Sequence, residues 1–309
     1  MQAQEVSALL SSAVVAAVPL MFAGLGELIT EKSGVLNLGV EGMMLVGAVA
    51  GYAVASTTGS PWAGIAAAAV AAAAMALVFA FLTLTMLANQ IATGLSLTIF
   101  GVGLSAYVGK PYTSAALGAT IAPWPVPGLS ALPIVGPALF RLTPLDYAAF
   151  AMFVAASGFL YRTRAGLLLR AIGESPTVAH ALGSSVTGIR YAATLFGGAM
   201  AGIAGGYYSI VNLHVWQEQL TSGRGWIALA LVVFATWRPG RLLLGALLFG
   251  AVTELQFYGQ VVGLTVPTQF LAMLPYAATI VVLVAISRDP MRIRINAPAS
   301  LGKPFIASA

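Results

Sequence analysis

The sequence predicts an all-α polytopic membrane protein with about nine transmembrane helices, and three observations carry that expectation. Of its 309 residues 59% are hydrophobic and 7% charged, with a mean hydropathy of +0.93, whereas a soluble domain carries about 25% charge. No charged residue occurs from Gly42 to Gly109, a run of 68. As one helix it would extend about 100 Å, against a bilayer core about 30 Å thick, so it must fold back twice. Turn residues such as Thr58-Gly59-Ser60-Pro61 and Arg238-Pro239-Gly240 punctuate the apolar stretches.

Taken in order, the apolar segments are 6 to 28, 34 to 56, 62 to 87, 90 to 108, 144 to 161, 189 to 211, 226 to 237, 242 to 258 and 269 to 287. The N-terminal MQAQEVSALLSS lacks a basic region, so the first segment reads as a span and not a cleaved signal. The seventh, 226 to 237, is shorter than the roughly 17 residues a crossing needs and reads as a broken or partly re-entrant helix. Between the fourth and fifth spans, 109 to 143 holds Pro111, Pro123, Pro125, Pro127, Pro133 and Pro137, and reads as an ordered extracytoplasmic cap with short interfacial helices. Small residues four apart, Gly198, Gly202 and Gly206, and the alanine run 66 to 74 mark close helix packing. One transmembrane domain, 1 to 309, accounts for the whole chain.

One long polar interruption, 162 to 190, carries Arg162, Arg164, Arg170 and Arg190. Ser175 suits an N-cap, Pro176 the first helical position and Gly183 a left-handed stop, which predicts a helix of about two turns. Thr177, His180, Ser184 and Ser185 leave it little apolar face for lipid, so docking on a partner is the favoured reading. With this loop inside, Lys32, Arg238, Arg241 and the tail 288 to 309, with Arg288, Arg292, Arg294 and Lys303, fall inside too. Only Lys110, Arg141 and Arg224 fall outside, a bias that puts the N-terminus outside and the C-terminus in the cytoplasm.

Several function classes drop out. The net charge of +5 sits beside the spans without interleaved exposed aromatics, which argues against nucleic acid. Zero cysteines exclude disulfides and thiolate metal sites. Gly109-Lys110 and Gly302-Lys303 are both followed by Pro, so no phosphate-binding G-x-x-x-x-G-K-[ST] loop exists, and His180 and His214 stand alone. Enzymatic activity is not expected, and energy must come from an ion gradient or a partner.

An ion-coupled carrier needs ionisable groups at membrane depth, and Glu41 and Glu254 are the candidates. Each reads equally as a pathway group or as a capped or paired carboxylate holding a helix break. Glu27, Glu31 and Lys32 read as a solvated cytoplasmic turn.

The segment GELITEKSGVLNLGVEGMMLVGAVAGY, Gly26 to Tyr52, resembles the amino-terminal signature of permease subunits of bacterial ATP-binding-cassette importers for branched-chain amino acids, simple sugars and nucleosides. AGLLLRAIGESPTVAHALGSSVTGIRY, Ala165 to Tyr191, is similar to the coupling loop of that group, and GRGWIALALVVFATWRPGRLLLGALLFGAVTELQ, Gly223 to Gln256, to its carboxy-terminal signature. The stretch around Asn37 and Glu41 is most similar to the nucleoside or purine branch.

The resemblance implies a subunit of the bacterial inner membrane that binds no cofactor itself. A separate ATPase holding ATP and magnesium, a second homologous permease and a periplasmic or lipid-anchored binding protein would complete the importer. Apparent loss of the first helix of ten-helix relatives favours a heterodimer of permeases. Glu174, Ser175, Pro176, Thr177, Ala179, His180 and Gly183 would couple to the ATPase, and Asn37, Glu41, Asn89, Gln90, Thr93 and Glu254 would line the translocation pathway. Asn89 and Gln90 read slightly better as a cytoplasmic turn. The same importer type for a sugar or branched-chain amino acid, an ion-coupled carrier and a structural subunit are the alternatives.

Overall fold

A computed structural model describes residues 3–113, 116–261 and 296–306, with single positions between 270 and 284. Among the described residues eleven helices run in chain order: α1 Ala3–Lys32, α2 Val40–Thr58, α3 Pro61–Ala80, α4 Gln90–Gly109, α5 Val135–Leu139, α6 Pro144–Arg162, α7 Arg164–Glu174, α8 Pro176–Ala181, α9 Val186–Gly206, α10 Arg224–Phe234 and α11 Pro239–Val261. The described residues form no strand beyond an isolated bridge between Ala116 and Val215. Among the described residues six helices are long and apolar enough to cross a membrane: Glu5–Lys32, Val40–Thr58, Pro61–Thr85, Gln90–Tyr112, Pro144–Arg162 and Pro239–Gln260. The predicted sixth span coincides with α9, which continues as a π-helical stretch Tyr207–Asn212. The predicted seventh span corresponds to α10, which at 11 residues, or about 16 Å, is too short to cross alone. The ninth predicted span falls almost wholly outside the described residues, as do Arg288, Arg292 and Arg294.

Close backbone approach organises the bundle. A Cβ on Gly47 would stand 2.6 Å from the Cα of Gly202, so α2 crosses α9 at van der Waals contact of main chains. Gly198, Gly202 and Gly206 receive Ala68, Ala72 and Ala76 of α3, as the small-residue pattern anticipates. Helix α1 lies against α9, α10 and α11, and α2 against α3, α4 and α9, with Leu25, Leu28, Met43, Met44, Phe79 and Tyr207 in the shared core.

Each end of the bundle is closed by non-spanning chain. At the end holding the start of α1, Ser7 Oγ donates to Ile134 O at 2.9 Å, and Trp124 N and Val126 N donate to Leu142 O and Phe140 O. This is the Pro-rich segment, with α5 and two 3-10 turns. At the opposite end stand α7, α8 and residues 296–306. The predicted single helix within 162–190 is thus preceded by a second, α7, which Thr163 caps through its hydroxyl to Gly166 N at 3.0 Å.

Two sequence expectations are corrected. The second span does not start as a helix at residue 34: residues 33–39 are non-helical and almost wholly buried, and α2 begins at Val40. Glu27 and Glu31 do not form a solvated turn, because both lie in the last turns of α1 and are 1% exposed. Trp237, which follows α10, closes over Glu31.

Candidate functional site

Non-helical backbone inside a membrane bundle needs a partner for every N–H and C=O, since no water competes. Residues 33–39 find theirs in side chains from three helices, α1, α4 and α9, and in Asn37 of the segment itself. Arg190 Nε donates to Ser33 O at 3.1 Å, Leu36 N to Gln90 Oε1 at 2.8 Å, and Asn37 N to Glu27 Oε1 at 3.2 Å. Thr98 Oγ1 donates to Leu38 O at 2.9 Å. Asn37 Oδ1 accepts Gly39 N at 2.9 Å, a local turn that sets up the start of α2.

The broken segment delivers Glu41 to the N-terminus of α10. Its Oε1 accepts the hydroxyl of Thr221 and Gly223 N at 2.9 Å, and its Oε2 accepts Gly225 N at 2.6 Å. A carboxylate there satisfies orphan amides and meets the positive end of the helix dipole. Glycine is required at 225: a Cβ would lie 2.6 Å from Glu41 Cα. The other end of α10 is held by the second carboxylate, where Trp237 Nε1 donates to Glu31 Oε2. Both ends carry left-handed backbone on side-chain-bearing residues, Gln219 and Ser222 before α10 and Thr236 and Trp237 after it, at φ 53°, 47°, 49° and 53°. Such conformations persist where the surroundings over-determine them. The short helix is therefore framed between Glu41 of α2 and Glu31 of α1.

The other pathway candidates divide. Gln90 is buried beside the broken segment, and its Nε2 has no partner among the described residues. Asn89 is exposed and caps α4, its Oδ1 accepting Ala92 N at 3.0 Å. Thr93 is half-buried one turn beyond. Glu254 is half-buried on α11, which packs chiefly on α1, α10 and α6, whereas Glu41 sits on α2 against the start of α10.

Around α8 the predicted start and stop recur with one difference. Pro176 opens the helix and Gly183 takes φ 84°, yet the Ser175 hydroxyl meets Thr177 Oγ1 at 3.3 Å and does not cap. Ala179 is buried with Ile172 and Val186 in a small core separate from the main one, against Leu168, Ile189 and Phe305. Glu174, Thr177 and His180 are exposed, and the His180 ring meets Phe305 edge-on at 5.6 Å. Sequence reasoning passed over Val178 and Leu182, which are 58% and 80% exposed, although two apolar residues four apart in a polar loop were the available signal.

Arg190 joins this loop to the broken segment. Buried at 1% exposure, it donates to Ser33 O, to Lys303 O at 3.3 Å and to Ser300 Oγ at 3.0 Å. Ser300 Oγ donates in turn to Gly173 O at the end of α7, and Gly302 N to Gly34 O. A further buried acid, Asp146, boxes the start of α6 with Thr143 and accepts the Tyr207 hydroxyl at 2.6 Å.

The described helices form a multi-span membrane bundle with buried non-helical chain between α1 and α2, a short helix held at both ends and a helical loop at one end. The chain belongs to the permease-component family of the branched-chain amino acid transport system, which matches residues 9–283. It is a permease subunit of an ABC transporter and a multi-pass protein of the cell membrane. It is 40% identical over 314 residues to a putative glucose ABC transporter permease protein of Haloferax volcanii, covering 95% of each chain. A nucleoside ABC transporter permease protein of Lactococcus lactis is 31% identical, over 86% of this chain and 87% of its own. A guanosine ABC transporter permease protein of Bacillus subtilis is 29% identical, over 98% of both. No solved structure matches the chain.

Proposed function

We propose that this subunit carries a small polar solute, a nucleoside or a sugar, inward through an importer driven by a separate ATPase that docks on α8. The observation that carries the reading is α8 itself. It exposes Val178 and Leu182 from a small core of its own, tied by Arg190 and Ser300 to the broken segment 33–39. A partner that moves α8 would thus pull, through Arg190, on the frame that holds Glu41 and α10. Nine spans with the N-terminus outside, Glu174 to Gly183 facing the cytoplasm, 109 to 143 facing outward and 288 to 309 inside complete the arrangement. ATP and magnesium belong to the ATPase in this scheme.

In the pathway, Asn37, Glu41, Gln90 and Thr93 serve the solute in different ways. Glu41 and Asn37 shape the wall by holding backbone, while the Gln90 amide and Thr93 hydroxyl offer hydrogen bonds. Glu254 lines the path from a separate place on α11. A second permease, different from this chain, and a binding protein outside are the remaining components.

The named relatives favour two solutes, nucleosides and glucose, and competition decides between them. Uptake of labelled nucleoside by cells carrying the whole importer is predicted to stop on ATP depletion and to survive an uncoupler. Uptake of labelled glucose that excess unlabelled glucose inhibits and excess nucleoside does not, with no uptake of labelled nucleoside, assigns the sugar. Uptake abolished by the uncoupler alone would overturn the ATP-driven reading.

A further inference from the structure

A cavity of about 810 Å³ opens at the end of the bundle that carries α7 and α8, between α6, α7 and the α10–α11 turn. Among the described residues its wall includes four cations, Lys32, Arg170, Arg238 and Arg241, against one acid, Glu174. Among the described residues Lys32 Nζ and Arg238 Nε donate to the carbonyl and side-chain oxygens of Asn296, and Arg241 Nη1 to Thr236 Oγ1. Arg170 lies over the Tyr161 ring at 5.2 Å, and its buried Nε has no hydrogen-bond partner among the described residues. Excess positive charge, an unused guanidinium donor and an aromatic floor together fit an anion with several acceptor oxygens.

The surroundings say which anion. Arg241 starts a face of α11 that continues through Leu244, Leu248 and Leu255, 68%, 47% and 52% exposed. Val154 of α6, 76% exposed, lies on the same face of its helix as Tyr161. An apolar stripe thus runs from the basic cavity toward the middle of the bundle, the layout of a lipid with a charged head and hydrocarbon tails. We propose that this cavity binds the phosphodiester headgroup of an anionic phospholipid, with Arg170 and Arg241 as its principal contacts.

Native mass spectrometry of the purified full chain in detergent tests this, with phosphatidylglycerol, phosphatidylcholine and inorganic phosphate as probes. Phosphatidylglycerol is expected to form a saturable adduct that phosphatidylcholine does not. The double variant Arg170→Gln/Arg241→Gln should weaken it about 30-fold, while Arg141→Gln, at the other end, leaves it unchanged. Equal binding of both lipids, or an unaltered adduct in the double variant, overturns the proposal. Full displacement by equimolar inorganic phosphate overturns the lipid assignment and leaves a free-phosphate site. If phosphatidylglycerol fails to bind and Arg170→Gln/Arg241→Gln instead weakens capture of the ATPase, the cavity is a protein interface and the lipid proposal falls.

Discussion

The carboxylate of Glu41 holds the amide of Gly225 at 2.6 Å across 184 residues of sequence, and the two residues' backbones touch so closely that only glycine fits. That contact joins the amino-terminal and carboxy-terminal family signatures and fixes where α10 begins.

Glu41→Gln replaces one acceptor oxygen by a donor, which then faces the α10 amides. A buried N–H left unsatisfied costs about 1–3 kcal/mol. The purified variant should melt at a lower temperature than the parent, and Glu41→Leu, which strands all three donors, lower still. Melting curves for the two variants that coincide with the parent curve would remove the cap from the account.

Gly225→Ala drives a methyl into Glu41 Cα, and overpacking of this kind costs about 1–3 kcal/mol. Gly240→Ala at the start of α11 is the control, because nothing lies within 4 Å of its Cβ. The first should reduce yield and transport together; the second should change neither.

Much of this fold was legible in the sequence, and the illegible part has a common cause. The uncharged run 42 to 109 and its turn residues fixed three spans, and the shortness of 226 to 237 marked α10 as unable to cross. Gly198, Gly202 and Gly206 marked the α3–α9 contact because small-residue spacing is local. Residues 33–39 were not legible as a break, since their apolar character matches a span. Their hydrogen-bond partners, Gln90, Thr98 and Arg190, come from distant elements. Glu27 and Glu31 looked solvated because the groups that bury them, such as Trp237, arrive only when the chain folds. Helix α7 was missed because Leu167, Leu168 and Leu169 in a basic loop carry no obvious face until Gly173 and Ile172 are seen buried.

Arg190→Lys keeps the charge and loses the fork that reaches Ser33, Ser300 and Lys303. Hydrogen exchange should speed up at the amides of Ser300 and Gly302, which bond to Gly173 and Gly34, and melting should fall. Unchanged exchange at both amides would show that the tail is held without Arg190.

Leu182→Asp adds a charge to a residue 80% exposed, so the fold should tolerate it within about 0.5 kcal/mol. Transport should nevertheless fall, because the docking surface has lost its apolar knob. A variant that melts normally and transports at the parental rate would exclude Leu182 from the partner interface.

The central claim, that α8 faces the cytoplasm and seats an ATPase, is tested most directly by labelling Thr177→Cys in this cysteine-free chain with a membrane-impermeant maleimide. The account predicts no labelling in intact cells, labelling in inverted vesicles stripped of ATPase, and protection when the ATPase is restored. Labelling from outside intact cells, or no protection by the restored ATPase, would contradict it.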